Sequence, residues 1–466
     1  MFGGGYYAYK ISSEWGLLFL CAILGTLITF IAYPGFFYTD SEARVSFAYN
    51  ITNILRETFH GNIYKTSSWL TVVPQFFIWI SILLTGNIAL YTFIQAFTAF
   101  LAIALILKEI SNYPKLMTMF VFLCPLFFCN GVFYEAGVGC LTGIIFLILN
   151  LIYSERLNNR LDIAIWVFLL CFWSFVCFGY RANAITILPA LLLIIWHLSI
   201  KKSEKLLAII AVIIGLLATI LLPKLLRIDT MSSGTAGIAW EIVMSIKDMP
   251  KEEQIYYSNF LDDIGGDGST IEAINSINYR NVCSLTSTRI SPGALSKPGM
   301  DRLVINKYIE LFMKQPKACI MTKLRICSYT LGVGEPLDHV AWIYNQYDGM
   351  GKYGFNDSSR RYLFYESYMK AVSYFKVCLI PWIWFLIDGI GIIIKHFVDR
   401  KQNKSFRFER WMYLLAVFYY LAYCIDTQAF ELRYFYPSFI LLLIVSLSLL
   451  ENINIIFKKV YKKSDI

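Results

Sequence analysis

Charged residues are scarce in this chain. Asp, Glu, Lys and Arg together make up 16% of its 466 residues, whereas hydrophobic residues make up 57%. Soluble globular domains carry about a quarter of charged residues, so the composition excludes that class. Apolar stretches of roughly 15–22 residues recur along the chain, each long enough to cross or nearly cross a bilayer core. The sequence therefore predicts an all-α polytopic membrane protein.

Histidine is rare, and cysteine lacks any ligand spacing. The four histidines lie far apart in the sequence, and most of the eleven cysteines lie in or beside apolar stretches. Thiols in such surroundings behave as small hydrophobic groups. Neither a disulfide framework nor a structural metal site is indicated. No cofactor is predicted, and a divalent metal that assists catalysis is left open.

The net charge of +9 indicates how the chain is oriented in the membrane. Basic residues concentrate in short segments between apolar runs, namely KKSEK (201–205), KHFVDRKQNKSFRFER (395–410) and KKVYKK (458–463). Short connecting segments rich in Lys and Arg face the cytoplasm. We therefore expect no nucleic-acid partner, and we expect the remaining connections to face outward.

This rule predicts about ten transmembrane helices. They are expected at about 15–33, 88–108, 116–133, 138–153, 163–178, 184–199, 206–222, 373–394, 411–425 and 435–450. Segment 70–84 is apolar but must not cross fully, so it is interpreted as re-entrant or interfacial.

Three regions follow from this topology. Residues 1–222 form an N-terminal membrane module that includes the first outer loop, 34–69, and the expected active site. Residues 223–370 form a small outer soluble domain, and residues 371–466 form the C-terminal transmembrane helices with a basic cytoplasmic tail. The topology brings several ionisable residues to the outer face, namely Asp40, Glu42, Glu135, Arg181, Glu431 and Arg433.

The first outer loop opens with TDSEAR (39–44). Thr39 and Glu42 fit a capping box that begins a helix, so Glu42 has a purely structural interpretation. The apolar face of this helix carries Phe47, Ile51, Leu55 and Phe59, and Arg44 is expected on its polar remainder. Such an amphipathic helix would lie in the membrane surface. Asp40 is different, because a carboxylate at the membrane boundary is costly and suggests function.

Two arginines lie where predicted transmembrane helices begin at the outer face. Arg181 stands in FGYRANA, and Arg433 stands in AFELRYFYP. A single arginine in such a place is often an interfacial anchor that snorkels. Two of them on one face suggest an anion clamp, because a guanidinium matches phosphate oxygens with two hydrogen bonds. Glu135, in a glycine-flanked outer turn, is either a solvated charge or part of the same site.

These patches resemble parts of the C-superfamily (GT-C) membrane glycosyltransferases. The resemblance covers the segment with Tyr33, Pro34, Gly35 and Asp40, the YRANA span start followed by Pro189, and ELRYFYP near the last span. It implies an inverting transferase of the bacterial inner membrane, with its active site facing the periplasm, of the kind that modifies O-antigen or other surface glycans. The implied donor is a polyprenyl-phosphate sugar, and the acceptor is a glycan or a lipid-linked glycan. The membrane lipid is the third partner.

The resemblance also implies roles for individual residues. Asp40 would be the general base and Glu135 a second catalytic residue. The substrate-binding residues would be Glu42, Arg44, Tyr180, Arg181, Glu431, Arg433 and Tyr434. A His-Pro or similar polar motif that related proteins often carry is replaced here by TSSWLTVVP. No metal ligand is assigned.

Two other classes compete with this interpretation. A lipid-linked glycan polymerase or ligase would rely on an arginine-rich late outer loop, whereas 223–370 mixes acids and bases. A flippase or transporter would place ionisable groups at the bilayer midplane, usually within repeats. The predicted clustering of charges at helix ends favours the transferase.

Overall fold

The structure is a computed structural model. It describes residues 15–33, 39–60, 71–111, 113–124, 135–157, 159–226, 228, 234–264, 271–277, 279–280, 282, 285, 290, 295, 299–338, 367, 370, 373–398, 406–427 and 429–464. Within these ranges the side chains of residues 32, 39–43, 58–59, 135, 260, 397–398, 406–407 and 452–464 lie outside the description.

The first half of the chain is helical throughout its described parts. In order, the helices are α1 (Trp15–Ala32), α2 (Thr39–Phe59), α3 (Val72–Thr85), α4 (Ala89–Ile110), α5 (Pro114–Leu123), α6 (Glu135–Tyr153), α7 (Arg160–Tyr180), α8 (Leu188–Trp196) and α9 (Lys202–Leu225). Short 3₁₀ segments, Ser154–Arg156 and Ala182–Ile187, follow α6 and α7.

The second half continues in the same way. Its helices are α10 (Gly234–Lys247), α11 (Lys251–Asp262), α12 (Ile271–Ser276), α13 (Met300–Lys314), α14 (Pro316–Thr330), α15 (Pro381–Val398), α16 (Phe406–Ile425) and α17 (Leu432–Ser464), with a 3₁₀ turn at Lys376–Leu379. Within the described ranges, the β-type pairing is one isolated parallel bridge between Asp338 and Glu431.

Local signals in the sequence set several helix boundaries. The Asn159 side chain accepts a hydrogen bond from the Asp162 backbone N–H at 2.9 Å and so caps α7. Pro114 and Pro316 occupy the first turns of α5 and α14, where the missing N–H costs nothing. Gly86 ends α3 in the left-handed conformation, with φ of 76°.

The long helices alternate in direction between two ends of one bundle. At the first end, Asn87 donates to the Tyr33 hydroxyl at 3.5 Å, and Arg181 donates to the Tyr423 hydroxyl at 2.6 Å. Gly139 packs directly beneath the ring of Tyr180, so α6 begins where α7 ends. We call this the Tyr180 end.

The opposite end is marked by ionic and hydroxyl contacts. The Tyr153 hydroxyl donates to Glu109 at 3.2 Å, and the Ser111 hydroxyl donates to Glu451 at 2.6 Å. Ser199, just before α9, donates its backbone N–H to Glu155 at 3.4 Å. We call this the Lys202 end, after the first residue of α9.

Some of the predicted transmembrane segments form long apolar helices in the structure. Among the described residues, five helices are long and apolar enough to cross a membrane: Ala89–Ile110, Ala136–Arg156, Arg160–Tyr180, Lys202–Leu225 and Leu432–Glu451. Helix α6 and the part of α17 up to Glu451 form the centre, where almost every described side chain is buried. Helix α9 exposes a run of large aliphatic side chains instead, including Ile210, Ile214, Leu217 and Leu221. An exposed apolar face of that size is typical of contact with lipid.

Helices α10–α14 pack on one another at the Tyr180 end, and we call their described residues the 234–338 unit. Helix α10 lies at its centre with Trp240 fully buried, and α13 and α14 pack against it. Several contacts join the unit to the bundle, including the following two. Thr330 at the end of α14 accepts a hydrogen bond from the Tyr420 hydroxyl at 2.6 Å, and the Asp338–Glu431 bridge ties the unit to the start of α17.

Helix α3 begins and ends at the Tyr180 end. The Thr71 hydroxyl, just before α3, donates to the carbonyl of Tyr180 at 3.0 Å. Gly86, just after α3, accepts a hydrogen bond from Tyr49 at 3.5 Å and is followed by Asn87, the partner of Tyr33. Helix α3 therefore contacts Tyr180 at its start and Tyr49 at its end.

Candidate functional site

Arg181 is placed by a break between two helical segments. Helix α7 ends at Tyr180, and Arg181 has an extended backbone (φ −142°, ψ 124°) before the 3₁₀ segment begins. This break turns the guanidinium toward α16 and α17. Its Nη2 donates to the Tyr423 hydroxyl at 2.6 Å, and its Cζ lies 5.8 Å from the Tyr423 ring centroid and 5.1 Å from that of Tyr434.

Arg433 reaches the same tyrosine from the first turn of α17. Its Cζ lies 4.9 Å from the Tyr434 ring centroid, and its Nε lies 2.6 Å from Glu431 Oε2. The two arginines are close enough that the charge of Arg433 acts on Arg181. Two guanidinium groups and one carboxylate carry a formal charge of +1 in total. Arg181, Arg433, Glu431 and Tyr434, four of the candidate residues chosen from the sequence, therefore lie close together in the structure.

Stacked tyrosines hold this group in position. The Tyr423 and Tyr434 rings stack with centroids 4.9 Å apart, and the Tyr419 and Tyr423 hydroxyls lie 3.4 Å apart. We refer to Arg181, Tyr423, Glu431, Arg433 and Tyr434 as the arginine–tyrosine cluster. Aromatic faces attract guanidinium groups without neutralising them, so the positive charge stays available to an anion.

The backbone beside the cluster is fixed by the 234–338 unit. Asp338 N–H donates to the Phe430 carbonyl at 2.8 Å, and Leu432 N–H donates to the Asp338 carbonyl at 2.8 Å. Arg280 holds Asp338 through ion pairs, with Nη2 3.0 Å from Oδ1, and it also pairs with Glu335 at 2.5 Å. Because these bonds flank Glu431, the unit and the cluster are mechanically coupled.

A mostly apolar cavity of about 290 Å³ opens beside the cluster between α3, α4, α6 and α7. Tyr180 lines one part of it, and Leu84 and Leu90, on either side of the α3–α4 turn, line another. Thr142 contributes a buried hydroxyl that makes no hydrogen bond to any described residue. Tyr180 was expected to bind substrate. Its side chain faces Gly139 and Phe77 in this cavity, and the neighbouring Arg181 reaches the cluster.

The side chains of Asp40, Glu42 and Glu135 lie outside the described part of the structure. Their backbones are placed in the first turns of α2 and α6. Hydrogen bonds from Trp79 to Thr52 at 3.2 Å and from Tyr49 to Gly86 at 3.5 Å show that α2 and α3 run antiparallel.

The antiparallel pairing has a consequence for Asp40. The first turn of α2 lies toward the Gly86 end of α3, whereas Arg181 follows Tyr180 at the Thr71 end. Helix α3 has 14 residues, which corresponds to a length of about 21 Å. The cavity, which extends from Leu84 to Tyr180, occupies this interval.

Arg44 departs from its predicted position. The amphipathic pattern placed it on the exposed face of α2, but it is 3% exposed, next to the buried residues Val45 and Ala48. The other half of the prediction is confirmed for Phe47 and Ile51, which are buried against Val72 and Ile228. The single-face pattern failed at Arg44 because α2 packs into the main bundle at Val45 and Ala48 and into a second cluster at Phe47 and Ile51, so more than one face is covered.

A second group of ionisable residues was missed by sequence reasoning. Lys323 on α14 pairs with Glu241 on α10 and donates to the Ile425 carbonyl at 2.6 Å. Asp426 lies beside them, and burial, reinforced by the charge of Glu241, raises the pKa of its carboxyl group to about 7. The sequence offered a signal, since Asp426 directly follows an apolar span and opens the outer segment that contains Glu431.

Ionisable residues also lie inside the bundle, contrary to the prediction that they occupy helix ends on one face. Asp388, in the middle of α15, is fully buried and accepts a hydrogen bond from Ser446 at 2.5 Å. Lys395 and Glu409 form a buried ion pair at 3.2 Å, and Ser448 donates to Glu409 at 2.5 Å. The pattern of apolar runs hid Asp388 because it is a single charge within a long hydrophobic helix. Lys395 and Glu409 stand in the basic segment 395–410, in the last turn of α15 and the first turn of α16, where the sequence does not show that they are buried together.

No group of His, Cys, Asp and Glu side chains suited to a metal ion occurs among the described residues. Comparison with known proteins does not place the chain in a family. The chain matches no family model, no curated protein and no solved structure.

Proposed function

We propose that this chain is an inverting membrane glycosyltransferase that moves one sugar from a polyprenyl-phosphate donor to a glycan or lipid-linked acceptor. The observation that carries the proposal is the arginine–tyrosine cluster, in which Arg181 and Arg433 from distant parts of the sequence meet at the Tyr434 ring. Two guanidinium groups at the end of a membrane bundle suit a phosphate that is anchored in the bilayer.

The distribution of basic residues supports an orientation. The Lys202 end carries Lys108, Arg156, Lys202, Lys205 and Lys395, all next to or within apolar helices. Short basic segments stay in the cytoplasm. In this orientation the cluster faces outward. In the proposed bacterial inner membrane, the outward side is the periplasm.

The same orientation supports ten spans. The described helices α1, α4, α6, α7, α8, α9, α15, α16 and α17 alternate between the two ends, and the tenth predicted span, 116–133, lies partly outside the described residues. Helix α3 returns to the Tyr180 end through Thr71 and Gly86, which favours the re-entrant or interfacial interpretation of 70–84. Residues 234–338 then form the core of the outer domain.

The cavity supports a lipid-borne donor. It is about 290 Å³, its lining is mostly apolar side chains, and Tyr180 lies between it and Arg181. A prenyl chain in this cavity would keep its phosphate next to the arginine–tyrosine cluster. Few polar groups are available to bind sugar inside the cavity, so the hexose is expected at the outer side of the cluster.

The chemistry needs stabilisation of the leaving phosphate and removal of one proton. Arg181 and Arg433 would stabilise the negative charge that develops on the phosphate as the anomeric bond breaks. Asp40 would accept the proton of the acceptor hydroxyl as it attacks the opposite face of the sugar, which inverts the configuration. Glu135 or Glu42 would orient the acceptor or bind sugar hydroxyls, and this scheme does not require a bound divalent ion.

The position of α2 makes the role of Asp40 the most demanding part of the proposal. Its turn and the cluster lie toward opposite ends of α3, so α2 must approach the cluster when donor and acceptor bind. The cluster itself contains another carboxylate, Glu431, but its ion pair with Arg433 at 2.6 Å makes it a poor base.

Donor consumption tests the proposal. Purified protein in lipid is incubated with individual polyprenyl-phosphate hexoses, and sugar transfer or donor hydrolysis is followed by mass spectrometry. Consumption of one donor by the wild type, and its loss in Arg181→Lys, would support the transferase. Arg156→Lys is the matched control, because Arg156 pairs with Glu109 at 3.2 Å at the other end of the bundle. No consumption of any donor by a folded protein would contradict it.

The rival classes make different predictions in the same assay. A polymerase or ligase would consume only a preassembled lipid-linked glycan, which is supplied in a parallel reaction. A flippase would move the donor across vesicles without breaking the anomeric bond. The buried Asp388 is the one observation that favours transport, and Asp388→Asn separates the two, since a transferase with its site at the Tyr180 end keeps its turnover.

A further inference from the structure

Two cysteines from different parts of the fold meet beside the arginine–tyrosine cluster. Cys327 lies on α14 of the 234–338 unit, and Cys424 lies in the last turn of α16. The Sγ atom of Cys327 is 3.6 Å from the carbonyl oxygen of Cys424, and the two thiols share a hydrogen bond. Both side chains are half-buried, so small reagents can reach them.

The surroundings favour the thiolate of Cys327. Its hydrogen bond with Cys424 and the positive charge of Lys323, one turn earlier on α14, outweigh burial and lower its pKa to about 7. Lys323 is held in place by Glu241 and by the carbonyl of Ile425. A thiol with this pKa is substantially ionised at neutral pH, and the thiolate is the reactive form.

A second close pair provides a contrast within the same chain. Cys140 on α6 and Cys177 on α7 also share a hydrogen bond, but both are fully buried. Gly143 packs against the Cys177 Cβ, where an added methyl group would come within 2.8 Å. No oxidant can approach this pair while the bundle stays folded, so proximity alone does not make a pair reactive.

We propose that Cys327 and Cys424 form a redox-active pair that closes to a disulfide by exchange with an external disulfide at the Tyr180 end. The Cys327 thiolate attacks one sulfur of the external disulfide, and the first thiolate leaves. Cys424 then loses its proton and attacks the Cys327 sulfur of the mixed disulfide, which expels the second thiolate. The two protons end on the two released thiols, so the external disulfide is reduced by two electrons and the pair is oxidised by two.

The orientation in the proposed function makes this exchange reasonable. An outward-facing Tyr180 end meets an oxidising compartment, where paired thiols form disulfides. The bond would cross a sequence separation of 97 residues and would join the 234–338 unit to α16. Tyr423, which holds Arg181, is the neighbour of Cys424, so the disulfide would fix the unit next to the arginine–tyrosine cluster.

The experiment follows the thiols directly and does not need enzymatic activity. Purified full-length protein in lipid is treated with oxidised glutathione, quenched in acid, denatured and alkylated with a maleimide. Proteolysis and mass spectrometry then identify each cysteine as alkylated or linked. The same samples are measured for thermal unfolding, with Cys327→Ser and Cys424→Ser as variants.

The expected result is a linked Cys327–Cys424 peptide in the wild type, while Cys140 and Cys177 remain alkylated. Oxidation is expected to raise the unfolding temperature of the wild type by roughly 5 °C, because a long loop is closed. Each serine variant should show no such rise and should unfold like the reduced wild type, which also shows that the variants fold. Cys327 and Cys424 both fully alkylated after oxidation, or linked to other cysteines, would overturn the proposal.

Alkylation of thiols in intact cells tests whether the pair is oxidised in the compartment that the Tyr180 end faces. Alkylation of intact cells before lysis should find the pair linked if the Tyr180 end faces an oxidising compartment. A pair that closes with glutathione in vitro but is fully alkylated in cells would overturn the physiological exchange and would count against the outward orientation. Donor turnover is measured separately, so failure of the transferase assay leaves this result unaffected.

Discussion

At the Lys202 end of the bundle carboxylates meet partners that neutralise or bind them, whereas at the Tyr180 end two arginines meet one aromatic ring and only Arg433 of the two is shown paired with the carboxylate Glu431. Glu409 pairs with Lys395 at 3.2 Å, and Glu109 pairs with Arg156 at 3.2 Å. Arg181 instead contacts the hydroxyl of Tyr423 and the ring of Tyr434. Compensated charges fasten helices together, whereas a positive group held on aromatic faces can still receive an anion. The same residue types therefore serve stability at one end and suit binding at the other.

The largest effect is expected for the proposed base. Asp40→Asn removes proton transfer, and we expect donor turnover to fall by about 10²–10⁴-fold. Glu42→Gln is the matched control on the same turn of α2, and it should reduce mainly helix stability, by about 1 kcal/mol. Turnover by mass spectrometry and thermal unfolding are measured for both. Unchanged turnover in Asp40→Asn would move the base away from α2 and toward the arginine–tyrosine cluster.

The next effect concerns the cluster. Arg181→Lys keeps the charge but loses the planar fork, so we expect turnover to fall by about 10²-fold, as for the loss of one oxyanion donor. Arg156→Lys, at the Lys202 end, should leave turnover unchanged. The comparison between the ends fails if the two variants lose activity equally.

The buried ion pair at the Lys202 end should govern stability. Glu409→Gln leaves the Lys395 ammonium buried beside a neutral group, and we expect a loss of about 3–5 kcal/mol. Thermal unfolding in lipid measures it. The double variant Lys395→Met with Glu409→Gln should recover much of the loss, because no charge then remains buried. A loss in Glu431→Gln as large as that in Glu409→Gln would contradict the assignment of stability to one end.

The smallest effect is a pH dependence at the Tyr180 end. The Asp426 carboxyl group has a pKa raised by burial to about 7, above the value of 3.8 that it has when unperturbed. Between these values the folded state holds a proton that the unfolded state has lost. The contribution of this group to stability is therefore fully present below the lower value and is lost as the pH rises to about 7.

The measurement is thermal unfolding at several pH values. Stability should fall by about 1 kcal/mol per pH unit between pH 5 and 7, and Asp426→Asn should remove that slope. A slope that persists unchanged in Asp426→Asn would assign it to other groups, with Glu241 as the next candidate because burial also raises the pKa of its carboxyl group.

Much of the helical architecture could be predicted from hydrophobic runs and basic connections. The spans assigned to α4, α6, α7, α9 and α17 appear as long apolar helices. Segment 70–84 was interpreted as re-entrant or interfacial from charge alone. The contacts of α3 with Tyr180 and Tyr49 leave that interpretation a prediction. The burial of Arg44 was not predicted, because a helix pattern shows one apolar face and does not show how many neighbours cover it.

The candidate site, too, could be predicted from the sequence only in part. Arg181 and Arg433 could be selected because charges are rare at span ends and stand out against the apolar runs. The topology predicted that they share one face of the membrane. Only the tertiary contacts show that both lie at the Tyr434 ring. Glu241, Lys323 and Asp426 could not be grouped beforehand, since α10, α14 and α16 are separated by long stretches of sequence and their packing depends on the outer unit.

The sequence by itself determined the class of protein, the helical content and the end of the bundle at which positive charge collects, since these follow from composition and from the order of apolar and basic segments. Only the tertiary structure decided which charges are neutralised, which arginines share an aromatic ring and which thiols meet. Those outcomes depend on contacts between helices far apart in the chain. Burial then sets the cost of each charge, which no local pattern records.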